Sequence, residues 1–204
     1  MQACRLAALD LACRRGDRVL FSGLNFALVA GEALHLAGPN GIGKSSLIRI
    51  LAGLLRAFAG TVERTGALAL ADERPALDGH LPLGRALDQW RKFDRAEAKT
   101  LDAAIATLGL GDLLDVPVRY LSTGQRKRAA LARILLAGAP VWLLDEPLNG
   151  LDSATTTVVE RLVAAHIANG GIAVIASHQP FALRAMARLE LARFEPAPLD
   201  FADA

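Results

Sequence analysis

The chain has 204 residues, enough for one domain with a sizeable core and barely enough for two. Hydrophobic residues make up 52% and charged residues 22%, a globular balance that excludes a disordered chain. Lys and Arg number 23 against 21 for Asp and Glu, and a net charge of +2 gives no argument for a nucleic-acid partner.

The longest apolar stretch, Ala129 to Leu144, is interrupted by Arg133 and Pro140. It falls short of the roughly 20 apolar residues a spanning helix needs, so no direct membrane insertion is expected. The start, Met1-Gln2-Ala3-Cys4-Arg5, shows no apolar signal-peptide core, so a cytosolic chain is expected. Cys4 and Cys13 stand without Cys-x-x-Cys spacing and read as reduced packing residues.

Taken in order, short apolar runs predict strands at Leu6–Leu11, Leu24–Val29, Ala33–Leu36, Thr61–Arg64 and Ala67–Ala71. Further strands are predicted at Val141–Leu144, Ile172–Ala176 and Leu189–Phe194. A helix over Lys44–Leu55 would place Leu47, Ile50, Leu51 and Leu54 on one face. The stretch 75–136 lacks strand character and reads as helices Leu83–Phe93, Arg95–Leu108 and Ser122–Leu136, separated by Gly109, Gly111 and Pro117. The expected architecture is one α/β domain: a sheet core, residues 1–74 and 137–204, with an inserted helical subdomain, residues 75–136.

Gly38-Pro39-Asn40-Gly41-Ile42-Gly43-Lys44-Ser45 fits G-x-x-x-x-G-K-[ST], with a strand before it and a helix after it. The glycines let backbone N–H groups turn inward on phosphate oxygens, and the helix N-terminus adds partial positive charge there. Lys44 is expected to reach the β- and γ-phosphates of ATP, and the Ser45 hydroxyl to bind Mg²⁺; Ser46 follows in the same loop. A Gly-rich turn before an ordinary helix is the plain alternative. Val141-Trp142-Leu143-Leu144-Asp145-Glu146 is an apolar strand ending in two acids, where open α/β sheets place their ligands. Asp145 is expected to hold Mg²⁺ through water and Glu146 to act as general base.

Leu121-Ser122-Thr123-Gly124-Gln125 opens a helix, and Ser122 with Gln125 forms a capping-box pattern. Small residues at this helix start also suit a second anion site. One molecule needs only one triphosphate grip, whereas two copies facing head to tail need a second, each for the other's ATP. His178, after the strand Ile172–Ala176, is expected to contact the γ-phosphate and the attacking water. His35, His80 and His166 have no such context and read as structural or surface residues.

At these residues the chain resembles the ATP-binding cassette (ABC) ATPases, a P-loop NTPase fold, over about residues 5–194. GPNGIGKSS resembles Walker A, LSTGQ the signature, VWLLDEP Walker B, Asn149–Asp152 the D-loop with Asp152 in it, and Ser177–Gln179 the H-loop. GPNGIGKSSLIRILAGLL, LSTGQRKRAALARILL and WLLDEPLNGLD look most like the haem-exporter ATPases of cytochrome c maturation. That resemblance implies an ATPase dimerising on ATP, bound to an integral membrane permease at the cytoplasmic face of the bacterial inner membrane, in c-type cytochrome assembly. It also implies Glu73 at the position where relatives carry Gln or His, and no early aromatic for adenine, the matching stretch being Cys13-Arg14-Arg15. An Arg plane stacking on the base is one alternative. The core motifs leave open an ABC transporter of another substrate, a soluble ABC protein and a non-catalytic nucleotide-binding subunit.

Overall fold

The computed structural model describes residues 4–72, 76–181, 183 and 186–196. Two sheets organise it. An antiparallel sheet in the order β2-β1-β4 is built from β1 (Arg5–Arg15), β2 (Arg18–Val29) and β4 (Ala59–Thr65). The second, parallel throughout, runs β5-β6-β7-β3-β8, from β3 (Ala33–Ala37), β5 (Leu68–Ala71), β6 (Val141–Asp145), β7 (Ile172–Ala176) and β8 (Ala187–Glu190).

The parallel strands are apolar without alternation because both faces are covered. Every residue of β3, β6 and β7 is buried. Side chains alternate across the sheet, so each strand feeds two cores. Trp142, Leu144, Ala173 and Ile175 pack with the helices of the inserted segment, while Val141, Leu143, Ile172 and Val174 pack with α1 (Lys44–Leu51) and the antiparallel sheet. Each buried aliphatic side chain contributes about 1.5–3 kcal/mol.

Between β5 and β6 the described elements are helical: α2 (Leu83–Phe93), α3 (Ala98–Thr107), two short 3₁₀ turns and α4 (Thr123–Ala137), with an isolated bridge between Pro82 and Pro117. Two cations of α4 tie this layer to the sheet: Arg133 Nη2 donates to the Leu70 carbonyl at 2.7 Å, and Lys127 Nζ to the Asp145 carbonyl at 3.1 Å. The Arg133 guanidinium also lies over the Trp90 ring, 4.5 Å from its centroid.

Several boundaries differ from the sequence reading. Helix α1 stops at Leu51, not Leu55, because Gly53 takes a left-handed φ of 78° and the N–H groups of Leu54 and Leu55 both fold back to Arg49 O. Leu54 is consequently exposed rather than on the buried face. Helix α3 starts at Ala98, not Arg95, because Arg95 itself adopts φ 55° and closes the end of α2. The strand expected over Leu189–Phe194 is the parallel strand Ala187–Glu190 followed by a 3₁₀ turn at Leu191–Phe194. Its partner β3 pairs as far as Ala37↔Glu190 and then turns away at Gly38, so no edge remains to extend it. The sequence reading also missed α5 (Ser153–Ala168), whose start carries Thr155, Thr156 and Thr157, β-branched residues that weaken a helix signal.

At the amino-terminal rim of the parallel sheet, the His166 ring of α5 stacks on Trp142 with centroids 3.9 Å apart and planes at 10°. Its Nε2 lies 3.2 Å from the Ile172 carbonyl, which accepts. Burial pushes the His166 pKa below the ordinary imidazole value, against a smaller upward pull from the carbonyls of Ile172 and Pro140. A histidine with a depressed folded-state pKa binds its proton more readily in the unfolded chain. Its stabilising contribution is therefore fully present above the unfolded pKa, about 6.5, and is lost as pH falls below it. We expect the urea midpoint to fall between about pH 7.5 and about pH 5.5, and His166→Phe, which keeps a ring against Trp142, to remove part of that fall. Equal pH slopes for the two proteins would reject this role.

Candidate active site

The strand order brings three loops to one place. β7 lies between β6 and β3, and Asp145, Ala176 and Leu36 stand level across the ladder. Hydrogen bonding continues one step past the strands: Glu146 N donates to Ala176 O at 2.8 Å, and Ser177 N to Leu36 O at 3.4 Å. The phosphate-binding pattern after β3, the acids ending β6 and His178 after β7 therefore share one sheet edge.

The loop 38–45 is curled by glycines at positive φ: Gly38 at 141°, Gly41 at 81° and Gly43 at 114°. Gly43 precedes α1 and provides no side-chain cap, so the first-turn N–H groups of α1 face the cleft rather than a capping oxygen. The helices α4 and α5 do have capped N-termini. An uncapped helix start within a turn of inward N–H groups is what an anion occupies. Lys44 is buried, and its Nζ donates to the carbonyls of Gly38 at 2.8 Å and Pro39 at 3.2 Å. The same Nζ lies 3.8 Å from Glu146 Oε1.

Glu146 has φ 48°, a costly conformation for a side chain with a Cβ, and such strain concentrates at functional sites. The turn aims its carboxylate back over the loop, where Oε2 accepts from His178 Nδ1 at 2.9 Å. A carboxylate only accepts, so Nδ1 carries a proton and Nε2 is left for another partner. A cavity of about 310 Å³ is lined by Leu20, Asn40, Gly41, Gly43, Lys44, Ser45, Ser46, Glu146 and Asn149. The structure thus brings together Lys44, Ser45, Ser46, Glu146 and His178. Pro39 and Ile42 shape the loop, Ile42 by packing in the core against Gly38.

Ser45 and Asp145 offer a hydroxyl and a carboxylate, both hard oxygens, as Mg²⁺ requires. Asp145 is 2% exposed and Ser45 is open to the cleft. No group of three or more His, Cys, Asp or Glu side chains able to cage a metal occurs among the described residues. Two oxygen donors without a cage suit a cation whose remaining ligands are phosphate oxygens and water.

The signature segment folds as the capping box its sequence spells: Ser122 Oγ accepts from Gln125 N at 3.2 Å, and Gln125 Oε1 from Ser122 N at 2.8 Å. The N–H groups of Thr123 and Gly124 belong to the same first turn, whose donors have no intrahelical partner. A Cβ at Gly124 would stand 2.5 Å from the Gly150 carbonyl, so glycine there is required by contact with the 149–152 turn of the same chain. Asp152 caps α5, accepting from Thr155 N at 2.7 Å, and that bond with the Thr155 hydroxyl holds its carboxyl below the ordinary Asp value. Glu73 lies outside the described residues. Arg14, one of the two early arginines, has its guanidinium over the Phe58 ring, 4.7 Å from the centroid.

Sequence reasoning gave no site role to Leu20 or Lys127 and named Asn149 only as part of the D-loop resemblance. Nothing local marks Leu20, which reaches the cleft only because β2 packs on the loop at Gly43. Lys127 stands in the run Arg126-Lys127-Arg128, where nothing local tells which cation turns toward the sheet. Both cysteines are buried as expected. We expect Lys44→Ala to abolish nucleotide binding measured by titration calorimetry while leaving the thermal midpoint near that of the parent. Unchanged ATP affinity would reject the loop assignment.

The ABC transporter family matches residues 21–149. The chain is 63% identical to the cytochrome c biogenesis ATP-binding export protein CcmA of Novosphingobium aromaticivorans, covering 96% of this chain and 100% of that protein. It is 54% identical to the protein of the same name from Sphingopyxis alaskensis, over 87% and 92% of the two chains, and 48% identical to that of Zymomonas mobilis, over 93% and 86%. In fold it superposes on an ABC transporter ATP-binding protein from Pyrococcus furiosus with a TM-score of 0.81, at 20% identity and over 94% and 100% of the chains. A bacterial Atm1-family ABC exporter with ATP bound gives 0.73 at 23% identity, over 88% of this chain and 35% of that one. The strand-end site and these likenesses agree, and the chain belongs to the ABC transporter ATP-binding family and, within it, to the cytochrome c biogenesis ATP-binding export proteins.

Proposed function

We propose that this chain hydrolyses ATP as the nucleotide-binding subunit of an ABC export complex serving cytochrome c biogenesis. The observation that carries the chemistry is the convergence of Lys44, Glu146 and His178: Glu146 touches both the loop ammonium, at 3.8 Å, and the histidine, at 2.9 Å. The assignment to cytochrome c biogenesis rests on the names of relatives up to 63% identical.

The triphosphate lies in the loop 38–46 (Gly38, Pro39, Asn40, Gly41, Ile42, Gly43, Lys44, Ser45 and Ser46), with the N–H groups of α1 and the Lys44 ammonium as counter-charge. Ser45 and Asp145 would hold Mg²⁺, which would supply positive charge to offset that of the phosphates. Glu146 receives the proton of the attacking water, and its carboxylate is kept in place by the Nδ1–H of His178. His178 Nε2, on a half-exposed ring, faces the terminal phosphate. The work is positioning and electrostatics, since phosphoryl transfer asks little covalent chemistry of the protein.

Two copies face head to tail, and the helix start Ser122, Thr123, Gly124 and Gln125 of each completes the other's site. The capping box pre-sets that helix start, and Gly124 sits against the 149–152 turn, so the signature and the turn ending at the Asp152 cap move as one. Residues 75–136 form the inserted helical subdomain that takes this motion to an integral membrane permease. The Lys127 and Arg133 ties to the sheet support that transmission. No helix among the described residues is long and apolar enough to cross a membrane, so the membrane contact is assigned to the permease. The complex works at the cytoplasmic face of the inner membrane.

Glu146→Gln should keep ATP binding, lower turnover about a hundredfold or more, and accumulate a nucleotide-bound dimer in light scattering. Turnover within a few-fold of the parent would overturn the assignment of Glu146 as base.

A further inference from the structure

We infer that His35 is a positioning residue for hydrolysis, acting through His178; this rests on the ATPase reading above. His35 lies in β3, a strand whose other residues are Ala33, Leu34, Leu36 and Ala37, and it is only 7% exposed. An imidazole at such a place is costlier to bury than an aliphatic side chain unless its polar atoms are bonded. Its Nε2 lies 3.0 Å from the carbonyl of Ser177, the residue immediately before His178. The carbonyl only accepts, so Nε2 carries the proton and donates.

The position of that bond gives it a purpose beyond core satisfaction. The ladder between β3 and β7 has thinned by this level: Ser177 N reaches Leu36 O only at 3.4 Å, and β3 turns off into the phosphate loop at Gly38, φ 141°. The backbone therefore cannot hold the Ser177 carbonyl by continued pairing. His35 provides a second tie at that point, across the strand boundary. Ser177 is itself 1% exposed, and its Oγ accepts from Gln179 N at 3.0 Å, fixing the turn on the far side of His178. The His178 backbone is thus clamped on both sides, which aims Nδ1 at Glu146. A cavity of about 380 Å³ beside the clamp is lined by His35, Gly38, Pro39, Ser177 and His178. It leaves room for the turn to drift if the tie is cut.

The test compares His35→Leu, which removes the donor at similar volume, with His35→Gln, whose amide restores one. Steady-state ATP hydrolysis by the full chain is measured beside ATP affinity and the thermal midpoint. We expect His35→Leu to lower kcat about tenfold with KM for ATP unchanged, and His35→Gln to stay within about twofold of the parent. In the His178→Ala background, where the clamp has nothing left to aim, His35→Leu should cause no further loss. His35→Asn, polar but too short to reach the carbonyl, must behave as His35→Leu does and replaces it if that variant does not fold. Equal loss in Leu and Gln variants, a fall in ATP affinity that accounts for the loss, or losses that multiply with His178→Ala would each overturn the inference. A parent chain that binds ATP but never hydrolyses it would instead defeat the ATPase reading, so the two failures are distinguishable.

Discussion

The site depends on the parallel ladder β6-β7-β3 and on the level at which its three strands end. Parallel pairing is costly to form, since each crossover must close a long loop before a hydrogen bond rewards it. Once formed, it sets three chain segments distant in sequence to the same height with the precision of a backbone hydrogen bond. Asp145, Ala176 and Leu36 are in register, and within two residues of each a loop of the candidate site begins. No side-chain interaction could do this alone. The contacts at the cleft, Lys44 to Glu146 and Glu146 to His178, follow from that alignment.

Much of this was legible in the chain because the physics is local. Gly38, Gly41 and Gly43 announce a turn through left-handed backbone, Lys44 and Ser45 mark the helix that follows, and an apolar run stopping abruptly at Asp145-Glu146 can hardly be anything but a buried strand reaching the surface. The capping box of Ser122 and Gln125 reads directly from residue types. What escaped was set by tertiary contact. Leu54 belongs to the apolar period of α1 but is cast into solvent by the turn at Gly53. The last strand ends at Glu190 because its neighbour leaves, a fact of pairing that its own residues do not encode. Helix α5 was hidden by its three threonines although Asp152 marked its start, and the sequence gives no hint that a residue of β2, Leu20, would line the cleft.

The histidines show how much context decides. By residue type the four are alike, yet each does something different. His80 accepts from Arg119 at the surface, His166 stacks on Trp142, His178 meets Glu146, and His35 is bonded beneath the turn that presents His178. Only His178 was singled out from the order of motifs. The reading of His35, His80 and His166 as structural or surface residues did not separate the three, since their contacts come from the fold.

The Trp142–His166 stack sits at the opposite end of the same strands from the acids and the phosphate loop. The proton-sensitive histidine therefore lies at the opposite rim of the sheet from the candidate site. Mild acid would loosen the scaffold where α5 meets the strand beginnings, away from the groups that handle the nucleotide. The pH dependence of unfolding then reports on that rim, and its indole offers an optical probe of integrity that turnover itself should leave undisturbed.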